Sequence, residues 1–426
     1  MNEQRDASRR AFLKGGLGAG LAVGGAALPG GAARADDPMI TDIENQPWRQ
    51  FLGDPVDAMP YGVPSEHEAH VVRRNVPWLT ADPTSSVNFT PLHELDGIIT
   101  PNGLCFERHH GGVAHIPPQD WRLMINGLVE RPMVFTLEDI MRFPRVTRAH
   151  FLECAANSGM EWRGAQLNGC QYTHGMIHNV MYSGVPLTYI LAEAGVKPAA
   201  AWVLAEGADA AAMTRSIPLD KIMDDCLIAT HMNGERLRPE QGYPARLVVP
   251  GWEGNMWVKW IRRLELGDKP WHHREETSKY TDLLGDGRAR RFTWEMDVKS
   301  VITNPSPQAP IRHGKGPTVI TGVAWSGRGQ GRIKEVHVTL DGGVTWHLAR
   351  LEGPSLDKSL HRFYFEFEWD GSPLLLQARA IDGEGFVQPT KEQLRKVRGE
   401  NSIYHNNGIQ TWAVDSDGVA ENVEIS

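Results

Sequence analysis

From residue 298 onward the chain can be little other than sheet. The runs 298–302, 318–324, 333–340, 345–351, 361–369 and 374–381 are rich in β-branched and aromatic residues, and Gly, Pro and Asp punctuate them at the spacing of a β-sandwich. Between two of these runs stands Asp341-Gly342-Gly343, the turn chemistry of a tight hairpin, which needs residues tolerant of positive φ. Residues 291–426 are therefore read as an immunoglobulin-like β-sandwich with a C-terminal tail. The cysteine pair of antibody domains is absent from it.

Upstream the periodicity is different. Between 106 and 290 short strand patterns alternate with helical ones, which predicts an α+β domain. Residues 121–128 alternate and end in Asn126-Gly127. Thr136 followed by Asp139 caps a helix over 136–143. Helices are also expected over 185–194 and 218–224, and buried strands over 246–249 and 258–266. A polar stretch, 269–291, reads as a linker. Residues 36–105 are Pro-rich without steady periodicity and are read as an extended segment wrapping the core. With 44 glycines and 28 prolines in 426 residues, the chain suits a turn-rich fold better than a helical bundle.

The first 35 residues read as an address. Ser8-Arg9-Arg10-Ala11-Phe12-Leu13-Lys14 is a twin-arginine pattern, followed by a Gly/Ala-rich run and by Ala33-Arg34-Ala35, a small-x-small cleavage site. The alternative is a poorly anchored N-terminal helix. A leader of this kind implies a periplasmic protein exported folded, a route used where a cofactor is inserted first. No later stretch reaches the roughly 18 apolar residues of a membrane span. The formal net charge is −8, and the leader's basic excess leaves the remainder more acidic still. That argues against nucleic acid as a partner. The four cysteines, Cys105, Cys154, Cys170 and Cys226, are scattered, with no CxxC, CxxCH or Cys/His cluster, which points away from zinc, iron–sulfur and covalently held haem.

Two constellations carry the chemistry. One is Phe106-Glu107-Arg108-His109-His110 together with Phe151-Leu152-Glu153-Cys154-Ala155-Ala156-Asn157. The other runs from Met232-Asn233-Gly234 through Gln241-Gly242-Tyr243-Pro244-Ala245-Arg246 and Val249-Pro250-Gly251 to Val258-Lys259-Trp260. In this order they resemble the sulfite oxidase family of molybdenum enzymes. Gly322-Val323-Ala324-Trp325-Ser326-Gly327 and the stretch 338–346 resemble that family's C-terminal dimerisation sandwich. The resemblance covers roughly residues 100–400.

The resemblance implies a pyranopterin molybdenum cofactor, Mo-molybdopterin, one per chain and with no haem of the chain's own. It makes Cys154 the thiolate ligand of the metal, since soft sulfur suits such a centre and a coordinated thiol is deprotonated. It also implies that Phe106, Glu107, Arg108, His109, His110, Gln241, Arg246, Trp257, Val258 and Lys259 line the cofactor, arginine offering a planar fork to phosphate. Asp209 takes the place of the family's pterin-binding acid. Tyr280 falls where the family has an active-site tyrosine, so Cys154, Arg108 and Tyr280 are the candidate catalytic residues. Read singly, each has a plain alternative: Cys154 a buried structural thiol, Arg246 the partner of a surface carboxylate, His109 and His110 solvated loop residues.

Departures from the family pattern bear on the substrate. Ser158-Gly159 follow Asn157 where other members carry a cation, and Gln241 replaces a histidine. Both predict a pocket with fewer cations, less suited to free sulfite. The segments 152–159 and 401–407 are similar to the molybdenum subunits of bacterial sulfane dehydrogenases. That branch implies a sulfur-carrier protein as substrate, a c-type cytochrome subunit as electron acceptor, and a homodimer within a heterotetramer. The rival expectations are a periplasmic dehydrogenase of free sulfite, a methionine sulfoxide reductase (against which the sandwich weighs), and a cofactor-free binding protein.

Overall fold

The computed structural model describes residues 46, 48, 52, 54–166 and 168–425, so the expected leader at 1–35 lies outside the described residues. The chain divides into two units, Met1–Glu66 and His67–Ser426. All that follows concerns the second.

Its first part holds two sheets. In one, β1 (Arg122–Gly127), β2 (Met133–Thr136), β5 (Trp202–Gly207), β6 (Thr214–Pro218) and β9 (Ile261–Gly267) are ordered β2-β1-β9-β5-β6, with β1 and β9 parallel and the other neighbours antiparallel. In the other, β3 (Val146–Glu153), β4 (Ile177–Pro186) and β7 (Leu227–Met232) run side by side, and β8 (Arg246–Val248) pairs with β7. Helix α1 (Leu137–Arg142) is capped by Thr136, whose hydroxyl receives the Asp139 N–H while Asp139 receives that of Thr136. Helix α2 is Cys170–His174. The next helix, α3, is Leu187–Ala194 and starts two residues later than the periodicity predicts, because Val185 and Pro186 complete β4. Helix α4 is Leu219–Asp224.

The second part is a sandwich. One sheet holds β10 (Lys299–Asn304), β11 (Gly316–Trp325), β14 (Arg350–Leu351) and β15 (His361–Trp369). The other holds β12 (Ile333–Thr339), β13 (His347–Leu348), β16 (Leu374–Asp382), β17 (Thr411–Val414) and β18 (Ala420–Val423). The run 345–351 is not one strand. It crosses between the sheets, β13 pairing with β12 and β14 with β15. The hairpin before it closes on Asp341, whose carboxylate accepts the Thr345 N–H.

Two apolar cores follow. The first fills the space between the mixed sheets. The second lies between the sandwich layers and takes in Phe151, Cys170 and Ile177 from the first part, so the seam itself is filled. The stretch 269–291 is no free linker. It contains helix α5 (Arg274–Thr277), and Glu276 is buried, accepting Ser216 Oγ at 3.0 Å and the Ser216 N–H. A polar composition looks solvated when its hydrogen-bond partners stand 60 residues away in the chain.

Candidate active site

Strand β3 delivers Cys154 to the base of a cavity and a short loop holds it there. The Cys154 N–H donates to Met176 O at 3.0 Å, and the Asn157 N–H to Cys154 O at 2.9 Å. Asn157 then clamps the loop with its side chain: Nδ2 donates to Glu153 Oε1 at 2.9 Å and Oδ1 accepts the Met176 N–H at 3.1 Å. This is the physical content of the Cys-x-x-Asn spacing. The tail seals the loop from outside, the His405 N–H donating to Ala155 O at 2.7 Å. Burial pushes the Cys154 thiol above its ordinary pKa, while a hydrogen bond from the Ala156 N–H and the nearby Arg108 work the other way. Only a cation bound to the sulfur would make it a thiolate at neutral pH.

A cavity of about 80 Å³ lies above Cys154. Every residue singled out from the sequence lines it: Phe106, Glu107, Arg108, His109 and His110 on one wall, Gln241, Arg246, Trp257, Val258 and Lys259 on another, with Asp209, Cys154 and Tyr280 between them. Lys259 ties the walls together. Its Nζ donates to Arg108 O at 3.1 Å, His109 Nδ1 at 2.8 Å and Glu240 O at 3.1 Å, and the other nitrogen of His109 meets Glu107 Oε2 at 2.8 Å. Burial, with Arg246 adding to it, pulls Lys259 down to about 7, against the pull of Glu107 and Asp209. Gln241 Nε2 donates to Phe106 O at 3.1 Å. Arg246, itself buried, spends two bonds on Gln241 O (3.1 Å) and Trp257 O (2.9 Å).

Several polar atoms of this cavity are buried without a partner among the described residues: both amide atoms of Asn255, His178 Nδ1 and Arg246 Nε. Buried polar groups are nearly always satisfied in folded proteins. The donor set therefore fits an occupant with hydrogen-bonding edges, and the cations Arg108, Arg246 and Lys259 fit an anionic end on it.

A second, wider cavity of about 650 Å³ shares Arg108, His110, Cys154 and Tyr280 with the first. Cys154 thus stands at the junction of a pocket and an entrance. Tyr280, at φ 53°, directs its hydroxyl to within 3.0 Å of His110 Nε2, its ring lying beneath the Arg215 guanidinium at 5.4 Å. Arg215 is held in turn by Glu253 Oε1 at 3.1 Å, and the second oxygen of Glu253 meets His405 Nε2 at 3.0 Å. The entrance is not stripped of cations, as the Ser158 position alone predicts. Ser158 turns its hydroxyl to Thr173 O at 2.7 Å, but Arg108, Arg274 and Lys279 line the same space from other segments.

Sequence reasoning missed His178, Met213, Glu240, Gly254 and Asn255 in the pocket, and it quoted Trp260, Ile403 and Tyr404 within motifs without giving them a place in the site. For His178 a signal existed: it alternates with Val180 and Tyr182 on one buried face of β4, and its Nε2 bonds Tyr182 Oη at 3.0 Å. Asn255 and Met213 sit in no pattern that marks them.

Comparison with known proteins agrees with this geometry. Residues 110–275 match the family described as the oxidoreductase molybdopterin binding domain, and residues 290–412 match the Mo-co oxidoreductase dimerisation domain. Mitochondrial sulfite oxidase of Mus musculus is 33% identical over 287 residues, covering 62% of this chain and 52% of that protein. Nitrate reductase [NAD(P)H] of Hordeum vulgare is 30% identical over 311 residues, 66% of this chain and 35% of that one. The chain thus spans about half the length of the sulfite oxidases it matches. The crystal structure of the sulfane dehydrogenase SoxCD from Paracoccus pantotrophus superposes with a TM-score of 0.89 at 63% identity, covering 92% of this chain and 99% of that one.

Proposed function

The chain belongs to the sulfite oxidase family of molybdenum enzymes, and on that premise we propose that it is the molybdenum subunit of a periplasmic sulfane dehydrogenase. Its substrate in this reading is a sulfane sulfur carried on a protein, oxidised toward the sulfonate level. Its electrons pass to a c-type cytochrome partner. A molybdopterin cofactor comes with the family, and oxidation chemistry on sulfur with the sulfite oxidase and sulfane dehydrogenase members that this chain resembles. The substrate, the cytochrome, the homodimer within a heterotetramer and the export route are parts of the proposal.

The chemistry the cofactor supplies when bound is delivery of an oxygen atom to a reduced sulfur with uptake of two electrons. Cys154 would hold the metal by its thiolate. Arg246, Lys259 and Arg108 offer positive charge to the cofactor's phosphate, and Asn255 and His178 present the unpaired polar atoms that a pterin's edges can satisfy. Tyr280 and His110 face the entrance side of Cys154 and supply a hydroxyl to bind or orient sulfur-bound oxygen. His110, drawn down to about 3 by burial and by Arg108, stays neutral and serves as the partner of that hydroxyl. Arg274 and Lys279 draw an anionic sulfur group inward, while Ile403 and Tyr404 present apolar surface to whatever carries it.

One observation carries the choice of substrate: identity of 63% to a sulfane dehydrogenase along 92% of the chain, against 33% over 62% for sulfite oxidase. The export route rests on residues 8–35 as sequence. Among the described residues no helix is long and apolar enough to cross a membrane. Steady-state assays of the purified protein with its cytochrome test the reading. A carrier-bound persulfide should be oxidised with a far higher kcat/KM than free sulfite; fast, saturable turnover of sulfite alone would overturn the sulfane reading in favour of a sulfite dehydrogenase.

A further inference from the structure

The residue before the metal ligand is a buried carboxylate whose charge partner comes from the sandwich. Glu153 is fully buried, as are Lys299 and Trp325. Glu153 Oε1 accepts from Lys299 Nζ at 3.0 Å and from Asn157 Nδ2 at 2.9 Å, and its Oε2 accepts from Trp325 Nε1 at 2.7 Å. Lys299 Nζ also donates to Asn157 O at 3.2 Å, so one ammonium grips the loop at both its ends. Lys299 and Trp325 are register partners across β10 and β11. Two neighbouring side chains of one ladder therefore converge on the carboxylate that leads into Cys154.

Charge matters here as much as grip. In a poorly screened interior, a bare carboxylate one residue from a sulfur ligand is felt strongly at the metal. Lys299 cancels it. Removing one partner of a buried pair leaves the other uncompensated, whereas replacing both with uncharged groups of similar size does not.

We propose that Lys299 is a positioning residue for the metal ligand, acting through Glu153 to fix the Cys154 loop and to cancel the carboxylate's charge at the sulfur. The sandwich then takes part in tuning the metal centre of its own chain, apart from any role in joining two chains.

The test uses the loaded protein and three readouts: molybdenum per chain, the midpoint potential of the metal, and the electron paramagnetic resonance spectrum of its one-electron-reduced state. In Lys299→Met, the Asn157 and Trp325 N–H donors remain on Glu153 while the ammonium is lost. The potential is expected to move negative and the spectrum to change. In the double variant Glu153→Gln/Lys299→Met the pair is gone but the shape is kept, and the potential is expected to return toward the parent value. An unchanged potential and spectrum in Lys299→Met would overturn the proposal. So would a double variant displaced as far as the single one, which is the mark of a purely structural seam. Should Lys299→Met not accumulate, Glu153→Gln leaves the Lys299 ammonium without its carboxylate and keeps the shape, and the potential is expected to move positive; a potential unmoved there overturns the proposal equally.

Discussion

The hydroxyl of Tyr280 lies 3.0 Å from Nε2 of His110 at the junction of the pocket and the entrance. Burial raises the phenol's pKa, with the neighbouring Cys154 adding to the rise, and burial lowers that of the imidazole to about 3. The pair is a neutral hydrogen-bonding unit throughout the working range of pH. Removing the hydroxyl with Tyr280→Phe is expected to lower kcat/KM about 100-fold, the scale of losing one fixed donor at a reacting group. Molybdenum content should be unchanged. A variant retaining full kcat/KM would show that the hydroxyl only fills space.

Cys154→Ser exchanges a soft ligand for a hard one. Replacing groups one step removed from a metal typically costs 10- to 100-fold, so loss of the ligand itself is expected to exceed roughly 100-fold in turnover. Arg246 and Lys259, which would hold the pterin's anionic end, are untouched, so metal analysis should still find molybdenum with the protein. Undiminished oxidation of reduced sulfur by this variant would remove Cys154 from the metal.

Asn255 gives a prediction with two signs. Both its side-chain polar atoms are buried and unpartnered among the described residues, a state that costs about 1–3 kcal/mol per group. Asn255→Ala should leave the cofactor-free protein as stable as the parent or raise its Tm. The same change should lower the fraction of chains that retain molybdenum. A fall in cofactor-free Tm with loading unaffected would make Asn255 a structural residue.

Acid should loosen this protein early. Burial holds His109, His150, His174 and His178 below the ordinary imidazole value of 6.5, His150 at about 4, and draws His110 to about 3. The folded chain therefore binds these protons less readily than the unfolded one. Their contribution to stability is full above 6.5 and is lost as pH falls through 4 to 3. Thermal melts between pH 7 and 4 should show a steadily falling Tm, and His150→Gln should flatten the curve. A Tm constant across that range would contradict the burial of these rings.

Local rules made much of this architecture legible. The Thr136–Asp139 cap and the Asp341 hairpin are complete within a few residues, so their sequence is sufficient. Helix α6 (Lys391–Arg398) is equally local, capped reciprocally by Thr390 and Gln393, although its surroundings read as strand and tail. The pocket residues that motifs marked do share one cavity. What escaped depends on distance in the chain. Glu276 reads as solvated until Ser216 is brought beside it, and 345–351 reads as one strand because nothing local tells it to change sheets. Tyr404 joins the entrance through its contact with Tyr280, ring centroids 5.1 Å apart, and no periodicity records that.

The bond from the His405 N–H to Ala155 O joins residues 250 apart in the chain. Everything up to residue 405 must leave the ribosome before the last strut of the ligand loop can be set. Metal loading of a finished centre therefore waits for residue 405, and a nascent chain stalled short of it carries the cysteine without that strut.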